Sequence, residues 1–196
     1  MINPGLVCIG RHRPPRVTTT IWTRASRWHR SGTPPDEASF RSACAQFATG
    51  VVVVTASAAG AGDCGLTVNS FTSLSLDPPQ VIVCLAETSN TWRAIRRAGC
   101  FAVNVLSGNG TGLARHFASK HPDKMAGVTF DRGVVGAPLL RDVLSVFECR
   151  LVDVMAGGTH VIVVGRVVAA RYDEGKEPLL FFRSRMYEGL PAQPAE

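Results

Sequence analysis

Seven β-rich runs follow one another along this chain with only short helical patterns between them, and that succession restricts the fold more than any other feature. They cover residues 51–57, 66–71, 80–86, 101–106, 145–155, 160–172 and 179–182. Each is rich in β-branched or aromatic residues and bounded by glycine, proline or small polar residues. Helical patterns between them are confined to 91–98 and 112–118. Parallel strands need a substantial crossover helix at each step, which only the stretch 80–106 could supply. The pattern therefore predicts a mainly β fold, a barrel or sandwich, rather than a doubly wound sheet. Gly157 and Gly158 between the two longest runs predict a tight hairpin, which makes those strands antiparallel neighbours.

Ahead of the strands, Thr33-Pro34-Pro35-Asp36 reads as a helix start, with Thr33 as N-cap and a carboxylate in the first turn. Phe40, Ala43, Cys44 and Phe47 then share one face, and Gly50 is the expected stop. At 196 residues and 45% apolar content the chain can build one domain with a full core. No apolar run approaches the roughly 18 residues of a membrane span, so no membrane partner is expected.

The formal charge of +6 raises the question of nucleic acid, and its location answers it. Residues 1–35 hold six arginines and no acidic residue, which leaves fifteen basic and fifteen acidic side chains in the remainder. The basic character thus belongs to a tail, and the domain gives no reason to expect a nucleic-acid partner. We read 1–35 as a disordered, Arg-rich tail, 36–190 as the domain and 191–196 as a C-terminal tail. The composition of 1–35 also fits an organelle transit peptide, but a start placed upstream of the true domain is the preferred reading. The six cysteines form no C-x-x-C pair, which points to a reducing compartment and a cytoplasmic protein.

Gly60-Ala61-Gly62-Asp63-Cys64-Gly65 matches the Gly-x-Gly-x-x-Gly dinucleotide fingerprint and comes after a Val-rich run. Its chemistry requires a helix whose N-terminus meets the pyrophosphate. The next eight residues, Leu-Thr-Val-Asn-Ser-Phe-Thr-Ser, have no helical face, so a glycine-rich hairpin loop is expected instead. Any nicotinamide dinucleotide used by this chain must bind without a Rossmann fold.

The stretch 65–79 offers hydroxyls, an amide and many backbone N–H groups in an apolar frame. Small polar side chains let a backbone approach a flat ring and donate to its edge. Ser89-Asn90-Thr91 stands at the start of the 91–98 helical pattern, where it can cap the helix, hold a phosphate, or do both. His160 opens a long strand just after a turn and can project from a barrel rim. No histidine pair has metal-ligand spacing, so no metal is expected, and no nucleophile elbow supports hydrolysis.

Five segments occur in a telling order: 40–51, 69–79, 101–106 (Phe-Ala-Val-Asn-Val-Leu), Gly157-Gly158-Thr159-His160, and Glu177-Pro178-Leu179-Leu180. Together they resemble the flavin reductase-like family, over roughly residues 38–190. Phe117-Ala118-Ser119-Lys120-His121-Pro122-Asp123-Lys124 is also similar to a segment of reductases that serve aromatic and steroid-ring hydroxylases. The resemblance implies an antiparallel Greek-key split β-barrel, the FMN-binding split barrel, that forms a homodimer with FMN or FAD near the dimer interface. It implies reduction of that flavin by NADH or NADPH and its delivery to a separate monooxygenase component. The ring would lie against Gly65, Leu66, Thr67, Asn69 and Ser70, with Val83, Cys84 and Leu85 behind it. Ser89, Asn90, Ser119 and Lys120 would serve the phosphate side. His160, as the catalytic candidate, and Tyr187 would lie by the nicotinamide. Thr159 stands where many relatives carry Asp. The rival reading is a split-barrel protein that binds flavin without turning over NADH, and a third has the Arg-rich tail bind nucleic acid or an acidic partner.

Overall fold

The computed structural model describes residues 34–60 and 62–190. The expectations for 1–33, including Thr33 as a cap, and for 191–196 lie outside the described residues. Helix α1, Glu37–Cys44, is instead capped by Asp36, whose Oδ1 accepts the Ser39 amide at 2.7 Å. A strong local cap prevails over the Thr-Pro-Pro pattern, and the helix ends well short of Gly50. Its expected apolar face is not buried, for Phe40 and Phe47 are 59% and 75% exposed.

Twelve strands come after it: β1 (Thr49–Gly50), β2 (Val52–Ala58), β3 (Gly62–Val68), β4 (Thr72–Leu76), β5 (Pro79–Ala86), β6 (Cys100–Leu106), β7 (Phe130–Arg132), β8 (Pro138–Leu140), β9 (Val143–Gly157), β10 (His160–Tyr172), β11 (Leu179–Phe182) and β12 (Arg185–Glu188). Helix α2 is Asn90–Ala98 and α3 is Thr111–Ala118. All seven expected runs are strands, with one boundary corrected: the run 66–71 ends at Val68. The short strands β1, β4, β7, β8 and β12 were not anticipated, because two to five residues carry too little alternation to read.

Seven strands form one antiparallel sheet in the order β3-β2-β6-β9-β10-β5-β4. Its two edge strands, β3 and β4, are consecutive in the chain and joined by three residues, Asn69 to Phe71. Four Cα steps reach about 14 Å at most. A flat sheet of seven strands would hold its edges about 29 Å apart. The sheet must therefore curl until its edges meet, and residues 69–71 cross the seam of the resulting split barrel. Ser70 stitches that seam, its Oγ donating to the Cys84 carbonyl and accepting the Cys84 amide, both at 3.0 Å.

Inside the barrel, Val52, Val54, Val81, Val83, Leu85, Phe101, Val103 and Val163 pack together, and α2 closes one end with Trp92 and Ile95. A second cluster, around Val53, Leu106, Phe117, Leu140 and Leu179, lies between the outer face and α3, β8 and β11. Strand β2 is thus covered on both faces, which explains its unbroken valine run. Asn104 ties the layers together. Its Nδ2 donates to the Val53 carbonyl and Thr55 Oγ1, each at 3.0 Å, while its Oδ1 accepts the Leu140 amide at 2.8 Å. The β9–β10 hairpin turns on Gly158, at φ +70°, as expected. The glycine fingerprint falls in the β2–β3 hairpin, where Ala58 pairs with Gly62 and the chain continues as strand rather than helix.

Candidate functional site at the barrel seam

Two hollows run along the free edge of β3. The first, about 340 Å³, is bounded by Asp63 to Leu66, by Ser89, Asn90 and Thr91 at the start of α2, and by the segment from Ser119 through Lys124. The second, about 210 Å³, is mostly apolar and is bounded by Val51, Thr67, Val68, Asn69, Ala118, Phe181 and Met186. They adjoin where α3 ends, since Ala118 borders one and Ser119 the other. Together they form a groove that is cationic at one end and apolar at the other.

The seam explains why this groove has donors to offer. In a curled sheet the crossing residues belong to neither ladder. Among the described residues, the amides of Asn69, Ser70 and Phe71 meet no backbone acceptor. The hydroxyls expected to contact a ligand are committed elsewhere. Thr67 Oγ1 donates to the Ala114 carbonyl at 2.7 Å, and Ser70 Oγ is held by Cys84. What Thr67 and Ser70 leave for a ligand is therefore mainly main chain. Gly65 is shaped by packing, because a Cβ there would stand 2.5 Å from Phe117 Cε1. Val83 and Leu85 are fully buried in the core, so of the three residues expected behind the ring only Cys84 presents a side chain outward.

At the cationic end, Ser89 caps α2 by accepting the Trp92 amide at 3.1 Å. Asn90 Oδ1 takes the Arg93 guanidinium at 3.0 Å. Capping is thus what Ser89 does, while Asn90 is held by Arg93, and the first-turn amides of Asn90 and Thr91 keep no intrahelical acceptor. The positive end of the α2 dipole faces the same hollow. Lys124 donates to the Phe117 carbonyl at 2.7 Å at the end of α3 and borders the hollow. Burial holds its ammonium below the usual lysine range, with the neighbouring Cys64 working in the opposite sense. Burial likewise pushes the Cys64 thiol up, opposed by a hydrogen bond from Thr91. Lys120 and Ser119 border the hollow as expected, and Ser119 Oγ accepts the His121 amide at 3.1 Å.

His160 and Tyr187 border neither hollow. His160 is exposed at the end of β10 beside Ala86, and its Nδ1 lies 3.0 Å from Thr159 Oγ1, so a neutral hydroxyl orients the ring. Tyr187 is 44% exposed on β12, next to Met186. Sequence reasoning missed Met186, Phe181, Lys124 and Asp63 as groove residues, whereas Thr91 was read with Ser89 and Asn90 at the helix start. Only Lys124 carried a signal, as the last basic residue of the charged segment after α3.

A model of the flavin reductase like domain matches residues 44–190. The "Probable flavin reductase" of Rhizobium meliloti is 46% identical over 134 residues, covering 68% of this chain and 43% of that longer protein. The chain thus spans less than half the length of that relative. The reductase subunit HsaB of a flavin-dependent monooxygenase from Rhodococcus jostii is 38% identical over 155 residues, covering 79% of this chain and 78% of HsaB. Among solved structures, NADH:FAD oxidoreductase SgcE6 of Streptomyces globisporus superposes with a TM-score of 0.76 at 34% identity, over 81% of this chain and 96% of that one. The chain belongs to the flavin reductase-like family, and both the family and the split-barrel fold are those the sequence resembles.

Proposed function

We propose that this protein reduces free flavin with a nicotinamide nucleotide and releases it to a separate monooxygenase component. The observation that carries this reading is the seam groove, with the Asn69 amide, which meets no backbone acceptor among the described residues, at its apolar end and helix-end amides with Lys120 and Lys124 at its other end. A flavin nucleotide has the matching shape, a flat ring with a polar edge and an anionic terminus. Bound there, it supplies an acceptor for the hydride of the nicotinamide. The Asn69 amide would donate toward the ring's carbonyl edge, where negative charge develops on reduction. Phe181 and Met186 exclude water from the ring end, and Lys124 and the α2 amides hold the phosphate. Such a step needs alignment more than proton transfer.

On this reading His160, which stands outside both hollows with Thr159 Oγ1 at its ring, would serve the nicotinamide. A homodimer is supported by the exposed Val152, Met155 and Val168 on the β9–β10 hairpin, each 41–46% accessible. The nitrophenol monooxygenase reductase component of Rhodococcus opacus supports an aromatic-ring hydroxylase as the consumer, and HsaB supports a flavin-dependent monooxygenase more broadly. Mixing the protein with NADH and then NADPH, with FMN and then FAD, tests the reading. Flavin-dependent loss of NAD(P)H absorbance is expected. Flavin binding without such turnover would leave the storage alternative in its place.

A further inference from the structure

At the opposite end of β9 and β10 from His160, a cavity of about 390 Å³ opens between the β8–β9 turn, the end of β10 and the chain that follows it. It is larger than either hollow of the groove and shares no lining residue with them, so what it holds is independent of the flavin reading. Three cations and three carboxylates line it, and they do not cancel in place. Arg141 forks onto Asp131, with Nε 3.2 Å from both oxygens and Nη2 2.7 Å from Oδ1. Lys176 alone faces two carboxylates, 3.5 Å from Asp173 and 3.8 Å from Asp142. Arg171 has no carboxylate within ion-pair distance among the described residues. It faces the cavity closely enough to help Arg141, the main cause, hold the Asp131 carboxyl below the usual carboxylate range. The cavity is thus neutral in sum and bipolar in layout, with one unanswered positive charge and one unanswered negative charge.

The negative pole is fixed by its surroundings. Asp142 stands at φ +57°, which aspartate tolerates, with the Ser107 hydroxyl 2.5 Å from its carbonyl. The Asp173 amide donates to the Leu144 carbonyl at 2.9 Å, and its Oδ1 accepts the Gly175 amide at 3.0 Å. Arg171 and Asp173 are two residues apart at the end of β10, so their side chains start about 7 Å from one another. A simple carboxylate would answer Arg171 and be repelled by Asp142, and a simple amine would meet the reverse. A ligand that carries both charges close together satisfies both poles. We propose that this cavity binds a zwitterion of the α-amino-acid class, its carboxylate on Arg171 and its ammonium between Asp142 and Asp173. Leu144 and the Tyr172 ring, which is 74% exposed at the cavity edge, receive its side chain.

Titration calorimetry of the full chain at low salt tests this, with L-phenylalanine compared against its two halves, 3-phenylpropanoate and phenethylamine. The amino acid should bind about tenfold or more tightly than either half, which corresponds to about 1.4 kcal/mol. Arg171→Gln should bring L-phenylalanine down to the level of phenethylamine and leave phenethylamine itself no weaker. Asp142→Asn should weaken L-phenylalanine and phenethylamine several-fold while sparing 3-phenylpropanoate. Both residues are exposed, and asparagine tolerates the same backbone as aspartate, so both variants should melt with the wild type. Either half binding wild type as tightly as the amino acid would reveal a simple ion site and overturn the proposal. So would the absence of L-phenylalanine binding at about 10 mM, beyond the millimolar range of a weak site, or unchanged affinity in both variants.

Discussion

Replacing Gly65 with alanine should loosen the protein and damage the groove together, because one contact serves both. A Cβ at Gly65 would sit 2.5 and 2.7 Å from Phe117 Cε1 and Cδ1, and 3.4 Å from Thr55 Cγ2. An ordinary carbon contact is about 3.5–4.0 Å, so the ring must retreat by about 1 Å. Phe117 is fully buried among Ala114, Leu139 and Leu140, which leaves it no free volume. Overpacking of this kind costs about 1–3 kcal/mol. In a domain of this size that lowers Tm by about 2–12 °C. Because Phe117 anchors α3 to β3, the shift is transmitted to Ala118, Ser119 and Lys120, and flavin affinity should fall as well. Gly112 is the internal control. It lies in the same helix, exposed, with nothing within 4 Å of an added Cβ, so Gly112→Ala should stabilise by about 0.5–1 kcal/mol. Urea melts of the three proteins, read for midpoint and slope, decide the matter. A Gly65→Ala midpoint equal to wild type would refute the packing argument.

Asn104→Ala should cost about 1–3 kcal/mol for the orphaned Leu140 amide alone, measured by the same urea melts, and a loss under about 0.5 kcal/mol would contradict the role given to Asn104. Lys124 gives a pH signature. Burial lowers its pKa from 10.5, so folding disfavours the ammonium; that penalty acts below the folded-state pKa and is relieved as the pH rises toward the ordinary lysine value. Phosphate holding runs the other way, so FMN or FAD affinity should decline with rising pH before an ordinary lysine titrates, while riboflavin affinity does not. Lys124→Met should narrow the difference between the phosphorylated flavins and riboflavin and remove its pH dependence below the ordinary lysine value. His160→Ala should lower kcat/KM for the nicotinamide about tenfold, the scale of one good hydrogen bond, while flavin affinity stays within about twofold; unchanged NADH kinetics would remove His160 from the reaction.

Much of this architecture is written locally. Alternation along 80–86 places Val81, Val83 and Leu85 inward, and the double glycine at 157–158 sets a hairpin, because both depend on neighbours in the chain. The rejection of the dinucleotide fingerprint is equally local, since Leu66 to Ser73 has no helical face. The pattern in α1 misleads for the same reason: periodicity says which residues share a face, not whether anything in the described structure covers it.

The candidate site divides along that line. From its own residues the sequence determined that 65–79 would be a polar, backbone-rich stretch in an apolar frame, and that Ser89 would head a helix. Tertiary structure alone decided which donors are free. Thr67 and Ser70 lose their hydroxyls to Ala114 and Cys84, 47 and 14 residues away. The amides of 69–71 stay unpaired because the sheet closes on itself at that point. Lys124 and Asp63 reach the groove only through the packing of α3 and the β2–β3 hairpin. The physical reason is that a side chain's period and propensity are properties of short segments. The availability of a hydrogen-bonding group depends on what lies across from it, and that partner is set by the curl of the whole barrel.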